Sequence, residues 1–68
     1  MKLKKKKENR REQIIKAAEE VFSKKDFLSS TISDVAKQAG VSDATIYEYF
    51  ASKEELLLSI PRENIENS

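Results

Sequence analysis

The chain has 68 residues, with 13 Lys and Arg, 12 Asp and Glu, one Gly, one Pro, and neither Cys nor His. That length suits one small domain. The absent Cys rules out a disulfide or thiolate-zinc scaffold, and the absent His removes the commonest general base, so no enzyme, cofactor or metal site is expected. The net charge of +1 hides an asymmetry: residues 1–11 carry seven bases against Glu8, a net +6, while the other six bases and eleven acids net −5.

Residues 1–8 show no apolar periodicity and predict a flexible basic arm. Lys4, Lys5, Lys6, Lys7, Arg10 and Arg11 are candidates to neutralise a polyanion, although such a run can equally be a solvating tail or have no role. No apolar core follows the lysines, so they are not a secretory signal. No stretch approaches the ~18 apolar residues of a membrane span. A cytoplasmic location is expected.

Asn9 with Glu12 three residues on reads as a capping box. Ile14, Ile15, Ala18, Val21 and Phe22 then recur at helical spacing, predicting a first helix over about 10–25. Asp26 is expected to end it in a left-handed conformation. "FLSS" is a connector, with Phe27 folding back. Thr31 and Asp34 form a second capping box opening a helix over about 32–39. Gly40, the only glycine, falls where a left-handed residue reverses the backbone. Val41 enters the core, and Ser42 caps a third helix over about 43–50. Ser52 and Glu55 make a third box, opening a fourth helix with Leu56, Leu57 and Ile60 on its apolar side, and Pro61 terminates it.

The expectation is an all-α domain of three or four helices over 9–60, with a helix-turn-helix at about 32–50. The expected core is Ile14, Ala18, Phe22, Val35, Ala36, Val41, Ile46, Phe50 and Leu57.

The third helix, in "GVSDATIYEYF", raises the functional question. At 100° per residue, Ile46 and Phe50 share the buried face. Ala44, Thr45 and Glu48 lie opposite, and Tyr47 and Tyr49 flank them. A helix in a major groove meets base edges along its centre line and phosphates on both sides. The tyrosines are also explained as core edges with wet hydroxyls, and Glu48 as a solvated surface acid.

The stretch "TISDVAKQAGVSDATIYEYFASKEELL" resembles the DNA-binding domain of the tetracycline-repressor (TetR) family of bacterial regulators, from about Arg11 to Ile60. The likeness rests on the Thr31 cap, the Ala36–Ala39–Gly40–Val41–Ser42 turn, Thr45–Ile46–Tyr47, Tyr49–Phe50 and Ser52–Lys53–Glu54. It implies that the third helix enters the major groove of double-stranded DNA. It implies contacts at Thr31, Ser42, Thr45, Tyr47, Tyr49 and Lys53, with Asp43, Ala44 and Glu48 on the same surface. Lys53 would hold a phosphate at a helix N-terminus. Three departures bear on the DNA sequence preferred: Asp26 and Ala44 stand where the family often has Gly, and Asp43 and Glu48 add negative charge.

The resemblance also implies a repressor that dimerises through a further ligand-binding domain. Residues 61–68 are expected to be a tail leading to that domain, which lies outside these 68 residues, and the isolated chain is expected to be a monomer. A small helical protein-interaction module and a non-specific nucleic-acid binder acting through the lysine arm remain as alternatives.

Overall fold

The computed structural model describes residues 6–61, and their side chains from Arg10 onward. Among these residues there are four α-helices, one short 3-10 turn and no strand. In order they are α1 (Lys6–Lys24), the turn (Phe27–Ser29), α2 (Ile32–Ala39), α3 (Asp43–Tyr49) and α4 (Lys53–Ser59). The expected all-α helix-turn-helix architecture is what is found.

Local signals explain the middle of the chain. Thr31 Oγ1 accepts the Asp34 amide at 3.1 Å, and the Asp34 carboxylate accepts the Thr31 amide at 3.0 Å, the reciprocal pair of a capping box. Gly40 has φ +77°. Its amide donates to Lys37 O and Ala36 O, and the Val41 amide donates to Ala36 O at 3.0 Å. This is a Schellman turn, which satisfies the last carbonyls of α2 and sends Val41 toward the core. A Cβ at Gly40 would touch nothing within 4 Å, so glycine is needed there for its backbone freedom, not for space. Ser42 Oγ accepts the Thr45 amide and starts α3.

Four expectations are corrected. First, α1 runs over Lys6–Lys24, so Asn9 lies inside the helix and not at its N-cap position. Lys, Arg, Glu and Gln are good helix formers, and the helix runs back through them. Second, Asp26 is extended at φ −54°, ψ 144°, not left-handed. Its carbonyl accepts the amides of Ser29 and Ser30 and the Ser30 hydroxyl, which folds the connector as a 3-10 turn.

Third, the Ser52–Glu55 box is half formed. Ser52 Oγ accepts the Glu55 amide, but the Glu55 carboxylate accepts the amide of Ala51. Fourth, the leucine that α4 buries is Leu56, at 0% exposure, while Leu57 is 40% exposed. Leu56 and Ile60 are four apart and so share the face that meets the core.

The core is one cluster. Ile14, Ile15, Ala17, Ala18 and Val21 come from α1, Ile32, Val35, Ala36 and Ala39 from α2, and Ile46, Phe50 and Leu56 complete it. Phe22, Val41, Tyr49 and Ile60 pack at its edge. Each fully buried large side chain contributes roughly 1.5–3 kcal/mol. Polar ties align α1 with α2: Gln13 Nε2 donates to Ala39 O at 2.7 Å, and Gln38 Nε2 to Glu20 Oε1 at 2.6 Å.

Candidate nucleic-acid interface

With Ile46 and Phe50 buried, α3 turns its other side outward. Asp43, Ala44, Tyr47 and Glu48 are exposed, and Thr45 and Tyr49 are partly covered. The two tyrosines are not equivalent. Tyr49 packs on the core edge with its ring 6.5 Å from that of Phe50. Tyr47 is 54% exposed, and its phenol has no hydrogen-bond partner among the described residues. Of the pair, Tyr47 is the more exposed.

The capping hydroxyls have spare chemistry. Thr31 Oγ1 accepts a backbone amide, and a hydroxyl that accepts still has a proton to donate. Ser42 Oγ accepts the Thr45 amide at 3.2 Å and lies 3.1 Å from Thr45 Oγ1, with either as donor. Whichever donates, one hydroxyl proton of the Ser42–Thr45 pair is left for an outside acceptor.

Two acids near this surface, Asp43 and Asp34, are held. Ser33 Oγ donates to Asp43 Oδ2 at 2.7 Å, joining the N-terminal ends of α2 and α3. Lys25 Nζ donates to Asp34 Oδ2 at 2.9 Å. That bond first, and the Thr31 amide second, hold the Asp34 carboxyl below its ordinary pKa. Ser33 and Lys25 were not foreseen as neighbours of the site. Each meets an acid nine or ten residues away, and no local pattern marks such a pair.

Lys53 is placed differently from the expectation of a free phosphate contact. Its ammonium donates to Phe27 O at 2.7 Å, Ser30 O at 2.8 Å and Leu28 O at 3.3 Å. Lys25 and Lys53 being engaged, Lys37 stands against Asp43 and Glu48 across the α2–α3 unit. The start of the chain carries further positive charge. Lys6 and Lys7 form the first turn of α1, Arg10 and Arg11 are exposed on it, and Lys4 and Lys5 lie outside the described residues. The Arg11 guanidinium sits 5.3 Å from the centre of the Phe50 ring, which brings this basic end beside the C-terminal end of α3.

The family described as "Bacterial regulatory proteins, tetR family" matches residues 14–60. The chain belongs to this family. The tetR-family match begins at Ile14, so the basic run before it lies outside the match.

Among similar proteins is the fatty acid metabolism regulator protein of Bacillus subtilis (strain 168). It is 49% identical over 53 residues, 78% of this chain and 27% of that protein. The HTH-type transcriptional activator FasR of Mycolicibacterium smegmatis is 35% identical over 60 residues, 88% of this chain and 27% of that protein. The HTH-type transcriptional repressor NicS of Pseudomonas putida is 44% identical over 50 residues, 74% of this chain and 24% of that protein.

Among solved structures, the fatty acid degradation regulator FadR from Bacillus halodurans aligns with a TM-score of 0.75 and 37% identity, over 98% of this chain and 33% of that one. The chain spans about a quarter of the length of these curated tetR-family relatives. Their names include both an activator and a repressor, so membership in the family does not fix the sign of regulation. Among the described residues, no helix is long and apolar enough to cross a membrane.

Proposed function

We propose that these 68 residues form a sequence-specific binder of double-stranded DNA, in which the outward side of α3 reads bases and the basic start of the chain neutralises phosphates. The observation that carries this is the outward side of α3. It presents Ala44, Thr45, the free phenol of Tyr47 and Glu48, with Ile46 and Phe50 turned inward. Thr45 and Glu48 suit base edges, Glu48 by accepting from a cytosine amino group. Thr31, Ser42, Tyr47 and Tyr49 carry hydroxyls suited to phosphate oxygens. Asp43 and Ala44 shape the approach, and Lys4, Lys5, Lys6, Lys7, Arg10 and Arg11 supply the charge that a body of net −5 lacks.

In the whole protein this domain acts in the cytoplasm, without catalysis, as half of a homodimer. The dimer contacts come from outside these residues, and the isolated domain is a monomer. Repression is the simplest regulatory outcome, since an occupied operator blocks transcription without further contacts. The 49% identity with the fatty acid metabolism regulator protein makes an operator of that protein the first duplex to try.

The test is a titration of the chain with that duplex and with a random one, over a salt series. Tighter binding of one duplex, with affinity falling steeply as salt rises, is expected. Affinity that is equal on both duplexes would leave only the lysine arm. Binding to neither duplex at any salt concentration would favour a protein-interaction module that uses the exposed Tyr47.

A further inference from the structure

Two side-chain pairs with hydroxyls lie at the start of α3, and they differ in what they leave for a partner. In the Ser42–Thr45 pair one hydroxyl proton remains to be donated. In the other, Ser33 Oγ donates to Asp43 Oδ2 at 2.7 Å. A serine hydroxyl has one proton, and this bond uses it. Asp43 Oδ1 has no hydrogen-bond partner among the described residues. An ionised carboxylate only accepts. The Ser33–Asp43 pair therefore turns nothing but acceptors outward, namely the free Oδ1 and the remaining lone pair of Ser33 Oγ.

Both residues are exposed, and they stand on different helices, ten residues apart. The bond fixes the rotation of the carboxylate. Oδ1 is thus held in one direction, without the freedom that a loose surface acid gives up on binding. Phosphate oxygens are negative acceptors and repel such a pair. Its partners in a major groove are the amino groups of cytosine and adenine, while guanine O6 and N7 and thymine O4 oppose it. Every base pair carries one such amino group. What the pair can tell apart is therefore the strand on which that group lies, C·G or A·T against G·C or T·A. The second helix of a helix-turn-helix brings its first residues to base edges, and Asp43 is the first residue of α3.

We propose that Ser33 and Asp43 together set the DNA sequence preferred at one base pair. Asp43 Oδ1 accepts from the amino group of a cytosine or adenine on one strand, and Ser33, on α2, fixes the direction of that acceptor. The proposal rests on the reading that α3 faces DNA. It extends the reading surface onto α2, and it gives an acid a use at an interface whose partner is an anion.

The experiment uses the 68-residue chain, Asp43→Asn, Ser33→Ala and the double variant. Asparagine keeps the shape of aspartate. With Ser33 still donating to its carbonyl, its NH2 group stands where Oδ1 stood, and a donor replaces an acceptor. Each chain selects duplexes from a random pool. Affinity is then measured for the selected duplex, for the same duplex with single base pairs reversed, and for a random duplex. Circular dichroism checks that each variant is folded, as exposed positions allow.

One position of the site selected by the unaltered chain is expected to hold C or A on one strand, and reversing that pair should cost about tenfold. Asp43→Asn is expected to prefer the reversed pair there and to keep the other positions. The double variant should show no preference at that position, because its amide rotates freely. Ser33→Ala alone should bind the selected duplex more weakly without changing its sequence. An Asp43→Asn chain that selects the same sequence and binds every duplex more tightly would show that the carboxylate only repels DNA, and would overturn the proposal. An inverted preference that persists in the double variant would overturn the part given to Ser33. An unaltered chain that selects no duplex would contradict the interface reading itself, whereas failure of the Ser33–Asp43 proposal appears only in a chain that does select.

Discussion

Two parts of this small domain are held in different ways. From Thr31 to Phe50 the backbone is shaped by neighbours in sequence: a capping box, a glycine in the left-handed region and a serine cap. From Asp26 to Ser30 the turn is folded by local bonds to the Asp26 carbonyl, and it is tied to the rest of the domain by Lys53 of α4, 23 to 26 residues away. The first part follows rules that operate over three or four residues, and the second depends on which surfaces the fold brings together. The helix-turn-helix is therefore a self-specified unit, and long-range contacts join it to the rest of the domain.

The same division explains what could be read in the sequence. Thr31, Asp34, Gly40 and Ser42 each act within one helical turn, and all four take the places their chemistry predicts. Asp26 does not, because its carbonyl collects the connector's amides in an extended conformation. Leu56 and Leu57 are adjacent apolar residues on a seven-residue helix. Which one is buried depends on the rotation of α4 against α1, a tertiary matter. Of the candidate interface, the inward and outward sides of α3 were legible from helical period alone. The engagement of Lys53 and the Ser33–Asp43 bond were not, since nothing local distinguishes a surface lysine or serine from one that meets a distant acceptor.

The largest effect is expected where both parts meet. Phe50 is 2% exposed and packs at the junction of α3 with the core. Phe50→Ala should cost roughly 3–5 kcal/mol, about the whole stability of such a domain. Thermal melting followed by circular dichroism should lose its cooperative transition. A sharp transition at the original temperature would show that the two parts are not joined through this ring.

Next comes a pair that isolates the tertiary part. Leu56→Ala should cost about 2–5 kcal/mol, and Leu57→Ala no more than about 0.5 kcal/mol, as suits a core site and a largely exposed one. Urea unfolding of both variants checks this, and a reversed order would mean that α4 is rotated by one residue.

A smaller effect should come from the local part. Gly40→Ala places a Cβ on a left-handed backbone, at a cost of about 1–2 kcal/mol. Thr31→Ala removes one half of a capping box and should cost about 1 kcal/mol. If the α2–α3 unit is self-specified, the two losses should add in the double variant, since the residues lie at opposite ends of α2. A clearly non-additive sum would indicate a unit that is less local than described.

The smallest effect concerns acid. The Lys25 hydrogen bond, and then the Thr31 amide, hold the Asp34 carboxyl below its ordinary pKa. The sign follows from that direction: the folded state favours the ionised form, so this stability is present above the ordinary pKa and fades as pH falls through the lowered one. Asp34→Asn should flatten the acid limb of melting temperature against pH. An acid limb unchanged in the variant would remove Asp34 from this account.

The central claim is that α3 reads DNA while the basic start of the chain only holds it. The direct measurement compares Thr45→Ala with a chain in which Lys4, Lys5, Lys6 and Lys7 are replaced by glutamine, each on a selected and a random duplex over a salt series. Thr45→Ala should lose about 1–3 kcal/mol on the selected duplex alone. The lysine replacements should weaken both duplexes alike and reduce the salt slope by ~0.9 per lost phosphate contact. The same uniform loss from both changes, on selected and random DNA, would contradict the account and leave the lysines as the whole of the binding.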